Sequence, residues 1–196
     1  TKGRRFFTSA AFDWEPVDGL LLQVDAEYID KSITEATELV LPAAVNGVIT
    51  VPPLQKASKN LGSTWLLSEG YEYNLLARAR YNVSADWSVS IGVGESYLKH
   101  DRRYSSFSGY DIVTGNGTLG VAMTHGNDYR ARIVRGDVAG VIETGPIKHN
   151  ILIGVSHYER DSNIPAATRY TFSQNLYDPI EIPEQPTPAR TITSIS

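Results

Sequence analysis

One stretch of the sequence resembles a nucleotide-binding motif. The segment GNGTLG, Gly115–Gly120, fits the G-x-G-x-x-G fingerprint, whose glycines let the backbone approach a pyrophosphate. That fingerprint opens a helix after a strand, and no helical spacing of apolar residues follows Gly120. Asn116-Gly117, between the short runs YDIV and TLGV, is instead a strong hairpin signal. The pattern therefore predicts the tip of a β-ribbon and not a nucleotide site.

Other motifs that could carry chemistry lack the context which that chemistry needs. Gly94–Leu98 (GESYL) has neither the final glycine nor the strand–turn–helix setting of a nucleophile elbow, and the RGD at Arg135–Asp137 falls inside a predicted strand. The four histidines, at positions 100, 125, 149 and 157, show no metal-ligand spacing. The chain has no cysteine, which excludes disulfides, thiolate metal sites and cysteine nucleophiles. We therefore expect no enzyme activity, no cofactor and no bound metal.

Composition limits the class of protein further. The chain has 196 residues, of which 41% are apolar and 20% charged, as in a folded domain of ordinary size. It contains no run of about 18 apolar residues, so no transmembrane helix is expected. A net charge of −4 gives no basic surface for nucleic acid. Because it begins TKGRRFF, without an initiator methionine or a signal peptide, we expect it to be a piece of a longer protein.

Apolar and polar residues alternate with the period of a half-buried β-strand. In Tyr71–Tyr81, for example, Leu75 and Ala77 share one parity, and Arg78 and Arg80 share the other. Six segments show this pattern: Phe6–Trp14, Leu20–Tyr28, Tyr71–Tyr81, Trp87–Val93, Val134–Ile142 and His149–Tyr158. Helical spacing appears nowhere over a useful length. The sequence therefore predicts an all-β, antiparallel fold of about six strands.

Short and long connections alternate along the chain. The short ones are Trp14–Gly19, Ser84–Trp87 and Glu143–His149, and the long ones are Lys31–Leu67, Lys99–Tyr129 and the residues after Arg160. This alternation is typical of an up-and-down outer-membrane barrel, which has short periplasmic turns and long extracellular loops. The apolar stretches also approach the length of about 9–11 residues that a tilted strand needs to cross a bilayer.

Aromatic residues stand where a membrane barrel places its interfacial girdles. Trp14 and Trp87 flank short turns on the apolar parity, and Tyr28, Tyr71 and Tyr97 lie near the opposite, long-loop ends. Amphipathic rings favour the boundary between lipid and water.

These patterns predict which side of each strand faces lipid. Arg78 and Arg80 would face a polar lumen, whereas Leu75 and Ala77 would face the bilayer. A soluble antiparallel sandwich with one solvated face produces the same alternation and is the alternative at this point.

Several segments, in order, resemble the barrel of TonB-dependent receptors of the siderophore type. Pro53–Trp65 is similar to that family's L-P-x-x-x-x-N-x-G-x-x-W stretch. Ile142–Gly145 followed by His149–Tyr158 resembles F-x-T-G and then H-x-L-L-x-G-x-D-Y, with Ser156 where an acidic residue is usual. Asn175–Pro183 resembles N-[IL]-[YF]-x-P. Each motif is loose, and the resemblance depends on their order and spacing.

The resemblance implies a receptor in the bacterial outer membrane that takes up ferric siderophores with energy from the TonB complex. Such receptors have a plug domain, a TonB box and a barrel of about 22 strands. Residues 1–196 are therefore expected to be part of the barrel domain, with the plug and the remaining strands outside this chain. Six strands could not close, because natural membrane barrels start at about 8. A passive porin and a soluble all-β binding or adhesion module remain alternatives.

In this family the extracellular loops select the ligand, commonly with aromatic and basic side chains. The resemblance thus implies candidates in two loops: Arg102, Arg103, Tyr104, Phe107 and Tyr110 in the middle loop, and Arg169, Tyr170 and Tyr177 in the last. Arginine beside tyrosine suits an anionic, aromatic iron chelate through charge-assisted hydrogen bonds and stacking. The alternative for any one of them is that it only orders its loop. Whether the cargo is a siderophore, haem, cobalamin or a sugar is left open.

Overall fold

All regular secondary structure in the described residues, 2–53, 56 and 59–189 of this computed structural model, is β-strand. The strands are β1 Gly3–Val17, β2 Leu20–Thr34, β3 Glu38–Leu39, β4 Leu67–Asn82, β5 Trp87–Ser108, β6 Asn116–Thr144, β7 Ile147–Asn163 and β8 Thr168–Asn175. The described residues contain no helical segment of the length and hydrophobicity that membrane spanning requires. The all-β prediction is confirmed.

The strands form one open sheet with up-and-down connections. Strands β1, β2, β4, β5, β6 and β7 pair in that order, each antiparallel to the next, and correspond to the six predicted strands. Strands β3 and β8 were not predicted. They lie off this path, β3 pairing in parallel with β5 and β8 pairing antiparallel with β6. An open, antiparallel sheet is what the sequence predicts for part of a barrel.

Tight turns join the strands at one end of the sheet. Gly19, in the turn between β1 and β2, and Gly145, between β6 and β7, have φ angles of 81° and 61°. Glycine adopts this left-handed conformation without the steric cost that a Cβ brings. Between β4 and β5, the Ser84 hydroxyl accepts a hydrogen bond from the Asp86 amide at 3.2 Å. All three predicted short turns are confirmed.

Apolar residues of the six long strands lie on one side of the sheet and form an oblique band. The pairing line that starts at Trp14 continues through Leu22, Ala79, Ile91, Gly136 and Val155. Trp14 is at the turn end of the apolar run of β1, whereas Val155 is at the far end of the apolar run of β7. The band thus shifts by about eight residues along the strands, at ~3.3 Å per residue, while it crosses the sheet from β1 to β7 at ~4.8 Å per strand. The slope of the band corresponds to a strand tilt of about 45°. Strands of membrane barrels have a similar tilt.

Strands β5 and β6, of 22 and 29 residues, continue together beyond this band. Their register shifts after His100, where Gly126 has a φ of 74°. The Asp101 carboxylate accepts a hydrogen bond from the Gly126 amide at 2.7 Å and lies 2.7 Å from Nδ1 of His125. This β-bulge marks the point where the ribbon can bend and twist away from the part of the sheet that carries the band. We call that part the lower sheet.

Beyond the bulge, the sheet order is β3-β5-β6-β8, and two loop segments pack on it. We call this unit the cap, made of β3, β8, residues 102–124 and the segments 59–66 and 176–189. Its interior contains the largest fully buried apolar side chains among the described residues: Leu66, Phe107, Leu119, Val121, Met123 and Leu176. The band has no such interior, since Phe12, Ile153 and Val155 are 63%, 67% and 76% exposed. The cap therefore has a dry core of its own, and the band needs an apolar surrounding.

The predicted hairpin tip is wrong in position. Asn116 and Gly117 begin β6, and both pair with β8. Residues 109–115 make the turn instead, where Oδ1 of Asp111 accepts the amide hydrogen bonds of Val113 and Thr114 at 2.9 and 2.6 Å. An Asn-Gly hairpin turn needs positive φ angles, which here occur at Gly109 and Gly115. An Asx turn therefore replaces the predicted one.

We expect Leu119→Ala to destabilise the cap by about 2–5 kcal/mol, because the substitution leaves a cavity in the interior. Val113 is 87% exposed, so Val113→Ala is the matched control and should change stability by less than about 0.5 kcal/mol. Protease cleavage of the cap loops, followed against urea concentration in the complete protein, measures both. Equal urea midpoints for the two variants would contradict the cap interior described above.

Candidate functional site

Alternation along β5 gives the cap sheet two faces. The packed face meets the loops and comprises Arg103, Ser105, Phe107, Leu119, Val121, Met123, Tyr170, Phe172 and Gln174. The open face comprises Glu38, Arg102, Tyr104, Ser106, Ser108, Thr118, Gly120, Ala122, Arg169, Thr171 and Ser173. Along β5, the open face lies on the same side as Ser96 and Gly94, which belong to the polar side of the lower sheet.

The first loop motif serves the packed face. Oδ1 of Asn60 accepts hydrogen bonds from the amides of Thr37 and Gly62 at 3.4 and 3.2 Å. Nε1 of Trp65 donates to the carbonyl of Ile182 at 3.0 Å. The asparagine, glycine and tryptophan of the motif Pro53–Trp65 therefore have structural roles. Positions 54, 55, 57 and 58 of that motif lie outside the described residues.

The second loop motif, Asn175–Pro183, closes over the first. Oδ1 of Asn175 accepts the amide hydrogen bonds of Tyr177 and Asp178 at 2.8 and 3.0 Å. Lys59 donates to the carbonyl of Tyr177, and the Thr64 amide donates to the carboxylate of Glu181, both at 2.7 Å. The Tyr177 hydroxyl, a predicted ligand candidate, donates to the carbonyl of Ile112. The two motifs thus hold the cap loops together.

Four of the predicted ligand residues, Arg103, Phe107, Tyr110 and Tyr170, contribute to the cap interior or to its loop contacts. Phe107 and Tyr110 are 0% and 7% exposed, their rings stack at 5.3 Å, and burial raises the pKa of the Tyr110 hydroxyl. Arg103 donates to the carbonyl of Trp65 at 3.2 Å and to Oγ1 of Thr187 at 3.1 Å. Tyr170 packs half-buried against the core. In this conformation their contacts stabilise the cap, and a ligand role for them stays a prediction.

Arg102 and Tyr104 belong to the open face. The guanidinium of Arg102 lies 4.7 Å from the centroid of the Tyr104 ring. It also makes a two-pronged ion pair with Glu35, with Nε–Oε1 and Nη2–Oε2 distances of 3.0 and 2.9 Å. The Ser68 hydroxyl donates to the same carboxylate at 2.6 Å. No local sequence pattern points to Glu35 and Ser68, because both are far from Arg102 in the chain.

The charge state of this group follows from its contacts. Burial raises the pKa of the Glu35 carboxyl, but the hydrogen bonds from Arg102 and Ser68 and the charges of nearby cations together outweigh burial and lower it. The pKa of Arg102 is raised, chiefly by the hydrogen bond to Glu35. Both partners are therefore charged at neutral pH, and the pair carries no net charge.

Tyr104 and Arg169 stand on either side of a floor of small residues. Ala122 pairs with Tyr104 on one neighbouring strand and with Arg169 on the other. Gly120, one pairing line further out, lies between Ser106 and Thr171. Arg169 is exposed and has no ion-pair partner in the part of the chain that the structure describes. The site is thus a shallow, polar platform with one uncompensated guanidinium.

A second concave region lies on the polar side of the lower sheet. It has a volume of about 430 Å³. Leu76, Ile133 and Tyr158 line it around Gly94, next to the carboxylates of Asp25 and Glu27. Arg78 is on the same side, 3.5 Å from the Ser90 hydroxyl, as expected from its parity. Among the described residues, no group of three or more histidine or acidic side chains is arranged to hold a metal ion.

Known proteins resemble this chain in sequence and in fold. No family model matches it. Over 138 residues, 69% of the chain, it is 25% identical to the ferrichrome receptor FcuA of Yersinia enterocolitica, of which the match covers 18%. The ferric preacinetobactin receptor BauA from Acinetobacter baumannii superposes with a TM-score of 0.74 at 18% identity, covering 97% of this chain and 28% of BauA. The ferric-catecholate import receptor Fiu from E. coli K12 gives 0.76 at 10% identity, covering 96% and 29%.

These matches show that the chain has the fold of a segment of a β-barrel. The receptors that the chain resembles are siderophore receptors, as its motifs predicted. The chain spans less than a third of the length of each of these proteins.

We expect the Glu35 ion pair to make the loop after β2 sensitive to acid. A carboxyl whose pKa is lowered by folding contributes stability above its unfolded pKa and loses that contribution as the pH falls through the folded value. Protease protection of residues 35–53 should therefore weaken as the pH falls below the ordinary glutamate pKa of about 4.3. In Glu35→Gln this protection should be weaker at neutral pH and change less on acidification. An equally steep acid response in that variant would assign the pH dependence to other groups.

Proposed function

We propose that the chain is part of a bacterial outer-membrane receptor that takes up ferric siderophores by active transport. The observation that carries this proposal is the oblique, exposed apolar band on one side of a sheet whose other side is polar. A sheet buried in lipid on one side and wet on the other has this pattern. A soluble sandwich would cover the band with a second sheet. In the described residues only the cap sheet has a packed cover, which is made of loop segments.

Aromatic side chains support the position of the membrane. Trp14 and Trp87 lie on the band side, near the turns. At its other border, Tyr28, Tyr71 and Tyr97 follow one another across three strands, with ring centroids 6.3 and 6.1 Å apart. Such rings favour the interface between lipid and water. The turns would then be periplasmic, and the cap would be extracellular.

The known relatives support a ferric siderophore as the cargo and active transport as the mode of uptake. The sequence relative is a ferrichrome receptor, and the similar structures are receptors for ferric siderophores. We place the plug, the remaining strands and the contact with the TonB complex in parts of the receptor outside this chain. The outer membrane has no pool of ATP on either side. Release of a tightly held ligand therefore needs energy from an inner-membrane partner. The receptor would bind and transport its ligand without changing it chemically.

Energy dependence separates this function from a passive porin. In cells that express the complete protein as their receptor for ferrichrome, deletion of the TonB protein should abolish uptake of radiolabelled iron while surface binding persists. A diffusion pore would show unchanged uptake and no saturable binding. Uptake that continues at the same rate without TonB would contradict the proposal. Failure to bind any ferric siderophore would contradict the cargo class.

The two sides of β4 provide a test of the membrane position. Ala77→Arg would place a charge on the apolar band and should cost about 2–4 kcal/mol near the bilayer midplane. Arg78→Ala changes the polar side and should cost much less. Heat-resistant folding of the complete protein in outer membranes, compared by gel mobility, measures this difference. Equal tolerance at the two neighbouring positions would contradict the assigned faces.

A further inference from the structure

The polar side chains on the two faces of the cap differ in whether their donors and acceptors form hydrogen bonds within the protein. On the packed face, Ser105 shares a hydrogen bond with Thr37 at 2.8 Å, and the Gln174 amide donates to two carbonyls. On the open face are the hydroxyls of Ser106, Ser108, Thr118, Thr171 and Ser173. None of these five hydroxyls makes a hydrogen bond to another residue in the described part of the chain. The open face thus presents a row of free donors and acceptors to solvent.

The charges on the open face balance. Glu35 neutralises Arg102 through the two-pronged ion pair. The remaining arginine and carboxylate of this face are Arg169 and Glu38, both exposed and neither in an ion pair with a described residue. Glu38 is on this face because it pairs with Ser106. A strongly anionic ligand would find one uncompensated cation here and would be repelled by Glu38.

The open face also has little aromatic surface to offer. Tyr104 is its only aromatic side chain among the described residues, and the Arg102 guanidinium already covers that ring. The floor beside it is made of small residues. A Cβ added at Gly120 would meet its nearest neighbour, the hydroxyl oxygen of Ser106, at 3.4 Å, which is an ordinary contact. A Cβ at Gly120 therefore fits without forcing the backbone apart.

Together these features favour a chelate different from the anionic, aromatic one expected from the sequence. We propose that the open face of the cap binds an uncharged iron chelate of the hydroxamate type. The serine and threonine hydroxyls would donate to its carbonyl oxygens and accept from its amides, and Arg169 would donate to an iron-bound oxygen. This inference rests on the proposed receptor function, since it names the chelate class of the same receptor.

Binding of two iron chelates to cells that express the complete protein tests the inference. Ferrichrome is an uncharged trihydroxamate, and the ferric complex of dihydroxybenzoate is anionic. Energy-depleted cells allow binding to be measured without transport. We expect saturable binding of ferrichrome and at least about tenfold weaker binding of the anionic complex. Thr171→Ala with Ser173→Ala should weaken ferrichrome binding about tenfold, as two lost hydrogen bonds imply.

Matched variants separate ligand contacts from effects on folding. Ser156→Ala with Ser162→Ala removes two exposed hydroxyls from β7, away from the cap, and should leave binding unchanged. Gly120→Leu should block the floor and abolish binding while the cap stays resistant to protease. Arg169→Gln keeps a hydrogen-bond donor and Arg169→Glu does not, so Arg169→Glu should weaken ferrichrome binding more. The difference between the two variants should stay within about tenfold, because the chelate carries no net charge for the added carboxylate to repel.

Three results would overturn the inference. Tight binding of the anionic complex, with Arg169→Glu much weaker than Arg169→Gln, would leave the receptor function intact and assign the other chelate class. Ferrichrome binding that survives Gly120→Leu and the hydroxyl variants would place the ligand elsewhere. If the assembled protein binds neither these chelates nor any other ferric siderophore, the proposed function fails together with the inference.

Discussion

The backbone pairing of β5 with β6 is the constraint on which the rest of the structure depends. Their ladder runs from Trp87, opposite Gly140, to Ser108, opposite Thr118, and crosses two different environments. Successive side chains point to opposite sides, so a slip of one residue would exchange the two sides completely. A strand in lipid must also pair all of its amides and carbonyls with its neighbours. The same register therefore determines which residues form the apolar band, which meet the cap loops and which meet solvent.

This pairing explains why the cap exists. The side of β5 that carries Val89 and Ile91 in the band carries Ser105 and Phe107 in the cap. In the proposed receptor no lipid is present beyond the bilayer to cover that side, so protein has to cover it. The segments 59–66 and 176–189 do so, and their two family-like motifs supply the hydrogen bonds that hold them in place. The polar side of β5 continues uncovered and becomes the open face.

Sequence reasoning succeeded where the information is periodic. Alternation such as Leu75, Ala77 and Ala79 against Arg78 and Arg80 identified the six long strands and their faces, because strand geometry translates parity directly into direction. It could not find β3 or β8, which are short and depend on neighbours distant in the chain. It placed the hairpin at Asn116-Gly117, since a local motif cannot show that the Asp111 side chain will close a different turn.

The candidate site shows the same limit. The family resemblance pointed to basic and aromatic residues of the loops, but the parity of β5 beyond the bulge separates Arg102 and Tyr104 from Arg103 and Phe107. No sequence signal reveals that Glu35 neutralises Arg102, because the pair joins the loop after β2 to a residue of β5 that is distant in the chain. The free hydroxyls of β8 belong to residue types that are common in any loop. Only the pairing of β8 with β6 brings them onto one face.

The continuity of the two sides of β5 is the central claim, and cysteine scanning tests it most directly. The chain has no cysteine, so single cysteines can be placed from 88 to 108 without a background signal from this segment. We expect a membrane-impermeant thiol reagent to label the even positions on both sides of the bulge. Odd positions should be protected by lipid from Val89 to Val93 and by the cap loops from Arg103 to Phe107. Labelling that reverses its parity at Asp101, or that shows no alternation at all, would contradict the assigned faces.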